Sequence, residues 1–370
     1  MKVLVAGDFY PRGRVSSMME LADYSFFDDV RFFTSETDYS IINLESPVVI
    51  KSANPILKTG PNLKCHENAM KAVKYAGFRC VTLANNHFYD YGDEGVVDTL
   101  ESCAKNGIAY VGGGLNIEEA VKILYKDIKG ERLAIVNYCE NEWSIADETH
   151  GGSAPLDLVK NYYSIREARQ NADYVLVIIH GGTEQYQLPT PRMKSTYRFF
   201  ADLDVDAIVN HHQHCYSGYE IYKGVPIFYG LGNFCFDKND TSDKLWNEGY
   251  AITLSFDKNK GTDFDIHPYC QCGDAASVVF LEDRSAFEEK LGELNAIIAD
   301  DKMLEDSFEK MALSKKGFMM TFEPYKNKYL KILRSKGWLP SSINQEKKNL
   351  ILELFRCEAH RDVMFKLLKE

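Results

Sequence analysis

The chain has 370 residues, 45% of them apolar, and a formal net charge of −11 at pH 7. That length buries a large core, either as one α/β domain with an appendage or as two domains. The negative balance argues against a general nucleic-acid binder, whose affinity rests on neutralising phosphates. It leaves an anionic substrate open, because a metal creates local positive charge whatever the global balance.

The first element begins at once. Met1 and Lys2 run into VLVAG, a core-strand pattern (2–7), with no room for a secretory leader, so a cytoplasmic chain is expected. Further strand patterns follow at 39–45, 80–86, 108–112, 133–139, 174–180, 206–211 and 226–232. Helical patterns lie between them, near 66–77, 93–106, 163–172 and 193–203, the last opened by Thr190-Pro191. This alternation predicts an α/β fold, and the continuously apolar strands predict burial on both faces. EGYAITLSF and DFDIHPYCQ then read as two closing antiparallel strands. Helical runs at 284–299, 302–316, 323–336 and 345–369 close the chain. The expected division is therefore a main domain over 1–278 and a helical C-terminal region over 279–370. No segment approaches eighteen consecutive apolar residues, so no membrane span is expected. Nine cysteines without a CxxC pair argue against a structural zinc ribbon and for a reducing compartment.

The chemistry-bearing residues gather at strand ends. Asp8 follows the first strand, Glu45 ends the second, and Asn85, Asn86 and His87 end the third. His180 ends a later strand, and His212 and His214 form an H-x-H pair after another. In extended backbone, residues i and i+2 share a side, so His212 and His214 aim at one locus or two adjacent metals while His211 points away. Each position alone is weak. Together, carboxylates, an Asn carbonyl and several imidazoles form a mixed N/O ligand set that suits one or two divalent ions of Mn, Fe or Zn better than Ca or Mg.

The ordered segments NLESPV, LANNHFYDYG, IHGGTEQY and NHHQHCYSGYEIYKGVPIFYGLGNFCFD resemble the CapA family. These are poly-γ-glutamate or capsule biosynthesis proteins of the calcineurin-like metallophosphatase superfamily, and the resemblance covers roughly residues 1–257. It implies a four-layer α-β-β-α sandwich with a two-metal site at the strand ends. Carried over residue by residue, it implies Asp8 and His214 at one metal and Asn86, His180 and His212 at the other. Glu45 would bridge, and His87 would be the catalytic histidine, oriented by Asp90. Arg12, Glu184, Tyr186 and Asn233 would contribute to substrate binding or support. Three departures stand out: Tyr10 where the D-x-H motif has His, Glu45 where Asp is usual, and HGG for HWG, leaving space at Gly181 where an aromatic would stand. The first leaves one metal or two open.

The function expected is a metal-dependent, phosphoesterase-like hydrolase of capsule or poly-γ-glutamate metabolism, acting on an anionic small molecule or polymer. The alternative is a non-catalytic partner of a surface-polymer biosynthesis complex. A homo-oligomer is left open. An ATP-driven ligase is disfavoured by the absence of GxxxxGK[ST], and no G-x-S-x-G or GxGxxG motif is present.

Overall fold

The structure is a computed structural model describing residues 1–50, 53–325 and 327–368. These fall into two compact units, Met1–Glu305 and Asp306–Glu370.

The first unit opens with β1 (Lys2–Phe9), α1 (Arg14–Glu20), α2 (Val30–Ser35), β2 (Tyr39–Leu44), α3 (Ala69–Tyr75), β3 (Cys80–Thr82), α4 (Gly92–Asn106) and β4 (Ala109–Val111). Next come β5 (Gly113–Gly114), α5 (Ile117–Ala120), β6 (Leu124–Ile128), β7 (Glu131–Cys139), β8 (Gly152–Ser153), α6 (Leu158–Asn171), β9 (Tyr174–His180) and α7 (Pro191–Ala201). Then β10 (Ala207–His211), β11 (Tyr219–Tyr222), β12 (Val225–Phe228), β13 (Asn233–Cys235), α8 (Lys244–Asn247), β14 (Glu248–Asp257), β15 (Gly261–Gln271), β16 (Val278–Phe280) and α9 (Ser285–Ala299) complete it. The second unit carries the end of α10 (Asp301–Ser314), α11 (Lys328–Ser335), α12 (Gln345–Arg356) and α13 (Glu358–Leu367).

Two large sheets form the core. One runs β16-β15-β14-β1-β2-β3-β4 with β13 also on β1; the other runs β11-β12-β10-β9-β7-β6. Alternation along β1 explains the layering. Val3 and Val5 join a cluster with Leu133, Ile135, Val177 and Ile208 of the second sheet, whereas Leu4 and Ala6 face Met19, Met70 and Val73 of the covering helices. Ile165 of α6 and Met193 of α7 pack the far side of the second sheet. The result is helix, sheet, sheet, helix: the α-β-β-α sandwich of the metallophosphatase type, with a helical C-terminal region. Thr190 caps α7 through Met193 N, with Pro191 at its start.

Register fixes the functional end. Asp8 of β1 stands opposite Asn43 of β2 and Asn233 of β13, and His180 of β9 stands beside His211 of β10. Asp8, Asn43, His180 and His211 lie at the carboxyl ends of parallel strands, where α/β sheets bind ligands, and Asn233 opens β13 beside them. The third strand is shorter than expected. β3 stops at Thr82, and Leu83–Asn86 form a turn in which Asn85 N bonds Leu83 O. The helical run expected at 345–369 is broken at Cys357. Among the described residues no helix is long and apolar enough to cross a membrane.

Candidate metal centre

Glu45 lies at the centre of the site. Its side chain is fully buried, and neither carboxylate oxygen has a hydrogen-bond partner. Oε1 lies 3.7 Å from His180 Nε2 and 3.5 Å from His214 Nε2. Glu45, His180 and His212 form one group of convergent donors and Asp8, Glu45 and His214 a second, each with its atoms within 4.8 Å of one another. His180 Nε2 also faces Asn86 Oδ1 at 3.1 Å and His212 Nδ1 at 3.1 Å. Two donors each about 2.1 Å from one ion stand about 3.0–3.4 Å apart, so the spacing fits a shared cation. A buried carboxylate without a donor is otherwise costly, which makes Glu45 the strongest sign of fit.

The surrounding groups fix orientation. Asn233 Nδ2 donates to the carbonyls of His214 and Trp246 at 3.0 and 3.2 Å, so its Oδ1 is left to accept from His214 Nδ1 at 3.0 Å. That hydrogen bond sets the tautomer and turns the lone pair of Nε2 toward Glu45. Asp8 Oδ1 accepts from Asn43 Nδ2 at 2.8 Å, and its Oδ2 from the backbone N–H of His212 at 3.1 Å. Thr82 Oγ1 donates to Asn43 Oδ1 and holds that amide in place.

Burial and charge polarise the titrations. Burial, then the charges of Asp8, Glu184, Glu142 and Asp90, push the Glu45 carboxyl well above its usual range. Burial would also raise Asp8, but neighbouring His211, His180 and His214 bring it below the usual range. Burial, then His212, drives His180 well below its usual value, and burial lowers His214. Neutral imidazoles are the form that binds metal.

His87 belongs to an adjacent group. Its Nδ1 lies 2.6 Å from Asp90 Oδ2, leaving Nε2 free. Asp90 also ties down an irregular segment: its carbonyl accepts from Ile56 N at 3.0 Å, Oδ2 from Leu63 N at 2.6 Å, and Oδ1 pairs with Lys58. Lys58 Nζ, on a side chain only 3% exposed, is 3.2 Å from His87 Nδ1. Sequence reasoning missed this cation, because it sits in a stretch with no periodicity.

Two expectations need correction. His211 does not point away: it is buried, with Nδ1 3.1 Å from Asp8 Oδ1, off a hydrogen-bonding direction. β10 ends at His211, and the backbone leaves the extended region, with φ of 93° at His212 and 56° at His214, so strand alternation does not extend through the pair. Nor does Gly181 leave a gap. A Cβ there would meet Glu140 Cγ at 2.6 Å, and Glu140 is held by Gly182 N and Arg192.

The remaining expected residues lie around this core. Arg12 is exposed, its guanidinium 5.9 Å from the Phe236 ring, which packs against His214. Glu184 is exposed, and its charge reaches Glu45 and His214. Tyr186 packs against the inter-sheet core, its hydroxyl buried without a partner. Glu142 Oε1 lies 3.8 Å from His212 Nε2. The Tyr10 phenol sits beside the Lys64 backbone and edge-on to Phe236, and burial raises it.

Residues 2–238 match the model of the family described as bacterial capsule synthesis protein PGA_cap. The chain belongs to this family. It is 34% identical over 226 residues to capsule biosynthesis protein CapA of Bacillus anthracis, covering 59% of this chain and 55% of that protein. It is 31% identical over 247 residues to PGA biosynthesis protein CapA of Bacillus subtilis, covering 66% and 64%. The matches thus span little more than half to just under two-thirds of these relatives. A crystal structure of a hypothetical protein from Thermus thermophilus is similar at a TM-score of 0.47 and 14% identity, over 73% of this chain and 99% of that one. PGA_cap proteins are members of the calcineurin-like metallophosphatase superfamily, and the donor groups around Glu45 suit that affiliation.

Proposed function

We propose that the site is the centre of a metal-dependent, phosphoesterase-like hydrolase in capsule or poly-γ-glutamate metabolism. It would cleave a phosphoester, or another ester or amide bond, in an anionic substrate. The observation that carries this reading is the Glu45 carboxylate, buried and unpaired between two groups of nitrogen and oxygen donors. One group is Asp8, Glu45 and His214; the other is Glu45, His180 and His212, with Asn86 against His180. One or two divalent ions of Mn, Fe or Zn suit these donors. Held by these residues, such ions would supply Lewis-acid polarisation of the scissile group and a water of lowered pKa.

The chain's own groups supply the rest. Asp90 holds Nδ1 of His87, so Nε2 is the nitrogen that gives a proton to the leaving oxygen. Lys58 offsets the negative charge of Asp90 and favours an anionic substrate. Asn233 keeps His214 in its ligand tautomer. Metal analysis of purified protein, with turnover of phosphomonoesters and diesters by wild type and His212→Ala, tests the proposal. Metal-free protein that stays inactive with added Mn, Fe or Zn sinks it.

Tyr10 favours a second reading, a non-catalytic partner of a polymer-synthesising complex. Its phenol, in the place of the motif's imidazole, sits at the Lys64 backbone. Protein that binds metal fully yet turns over none of these esters would support that role.

A further inference from the structure

The second compact unit has a chemistry opposite to the rest of the chain. Residues 306–370 carry 14 Lys and Arg against 8 Asp and Glu, although the whole chain is at −11. The unit buries little: among its described residues only Ile343 and Glu323 are buried, and neither α11 nor α12 buries any side chain. Its apolar faces are exposed. Tyr329 is 76% and Trp338 72% exposed, and Leu330, Ile332, Leu350 and Phe355 are exposed as well.

The arrangement is ordered. On α11, helical spacing puts Tyr329, Leu330, Ile332 and Leu333 on one face and Lys328, Lys331 and Arg334 on the other. Trp338 follows directly, with Lys336 Nζ 5.7 Å from its ring. An apolar face carrying aromatics, rimmed by lysine and arginine, is the pattern of helices that lie in a lipid interface. Protein–protein contacts differ, since lysine is depleted there. The positive excess complements an anionic surface and adds attraction with each basic residue.

We propose that the described residues of this unit form a peripheral binding surface for anionic lipid, with α11 and Trp338 entering the headgroup layer. The aromatic and aliphatic side chains take the acyl boundary, and the flanking lysines meet the phosphates.

The test uses the full chain with vesicles of phosphatidylglycerol mixed with phosphatidylcholine, against phosphatidylcholine alone. Co-sedimentation and tryptophan emission are the readouts. Wild type is expected to bind the anionic vesicles about tenfold or more tightly than the neutral ones, with a blue-shifted emission that salt reverses. Lys328→Glu/Lys331→Glu should weaken binding by about tenfold or more, and Tyr329→Asp/Trp338→Asp should do the same with circular dichroism unchanged. A conservative Trp338→Phe variant should still bind but lose the emission shift, which keeps the test valid if the double variants misfold. Equal binding to neutral vesicles, no binding at low salt, or unaltered binding by well-folded double variants overturns the proposal. So does lipid-free self-association that Tyr329→Asp/Trp338→Asp abolishes, which would make the surface a contact between copies of the chain.

Discussion

Replacing Glu45 with Met should make the metal-free protein more stable and the metal-loaded protein less stable than wild type. Both Glu45 oxygens are buried without a partner. An unsatisfied buried polar group costs about 1–3 kcal/mol, and an apolar side chain of similar length removes that cost. At about 2 °C per kcal/mol for a unit this large, the metal-free variant should melt about 2–6 °C higher. A metal at a hundred times its dissociation constant stabilises wild type by about 2.7 kcal/mol, or about 5 °C. The variant should lose most of that gain, because Glu45 belongs to both donor groups. The pH dependence has a definite sign. Glu45's carboxyl is raised in the folded state, so its contribution is fully present below the unfolded value of about 4.3 and is lost as pH rises toward the folded value. Metal-free wild type should therefore lose stability relative to Glu45→Met as pH climbs from about 4.3. Differential scanning calorimetry of chelated and reloaded protein across this range measures all three effects. A metal-free variant that melts lower than wild type, or one that keeps the full metal-dependent gain, refutes the reasoning.

Asn233→Ala removes the acceptor that fixes His214's tautomer, and should lower metal affinity at that group about 10–100-fold while His180 and His212 still bind. A competition titration with a chromophoric chelator, resolving two classes of metal, reads this directly. Asp90→Asn should slow any turnover about 10²–10⁴-fold, and should also speed hydrogen exchange across 53–63, since the Asp90 carboxylate holds both Lys58 and the Leu63 N–H. Slowed turnover without faster exchange would separate His87 from that segment. Gly7→Ala should fold poorly, because a Cβ there lies 2.0 Å from the Gly232 carbonyl oxygen. If it folds, its metal content should fall through displacement of Asp8, and an unchanged melting point and metal content would refute the packing.

The elements most legible in the chain are those whose physics is local. β9 was expected at 174–180 and occupies Tyr174–His180, because an apolar run there ends in one polar residue. The strand-end placement of Asp8, Glu45 and His180 follows from the same local contrast, and pairing register then brings Asp8 beside Asn43 and His180 beside His211. The inferences that failed used a local rule outside its range. β10 runs to His211, but strand alternation does not carry through the positive φ at His212, where backbone N–H donation to Asp8 holds the turn. An empty space at Gly181 was expected from what a glycine lacks, yet Glu140, far earlier in the chain, fills it. Lys58 is the hardest case. Its segment has neither helix nor strand periodicity, and its neighbour Leu57 is 99% exposed. Nothing local marks Lys58 for burial; only the carboxylate of Asp90, 32 residues on, does so. Ionic tethers across irregular chain leave no periodic trace, and here one supplies a buried cation beside the candidate catalytic histidine.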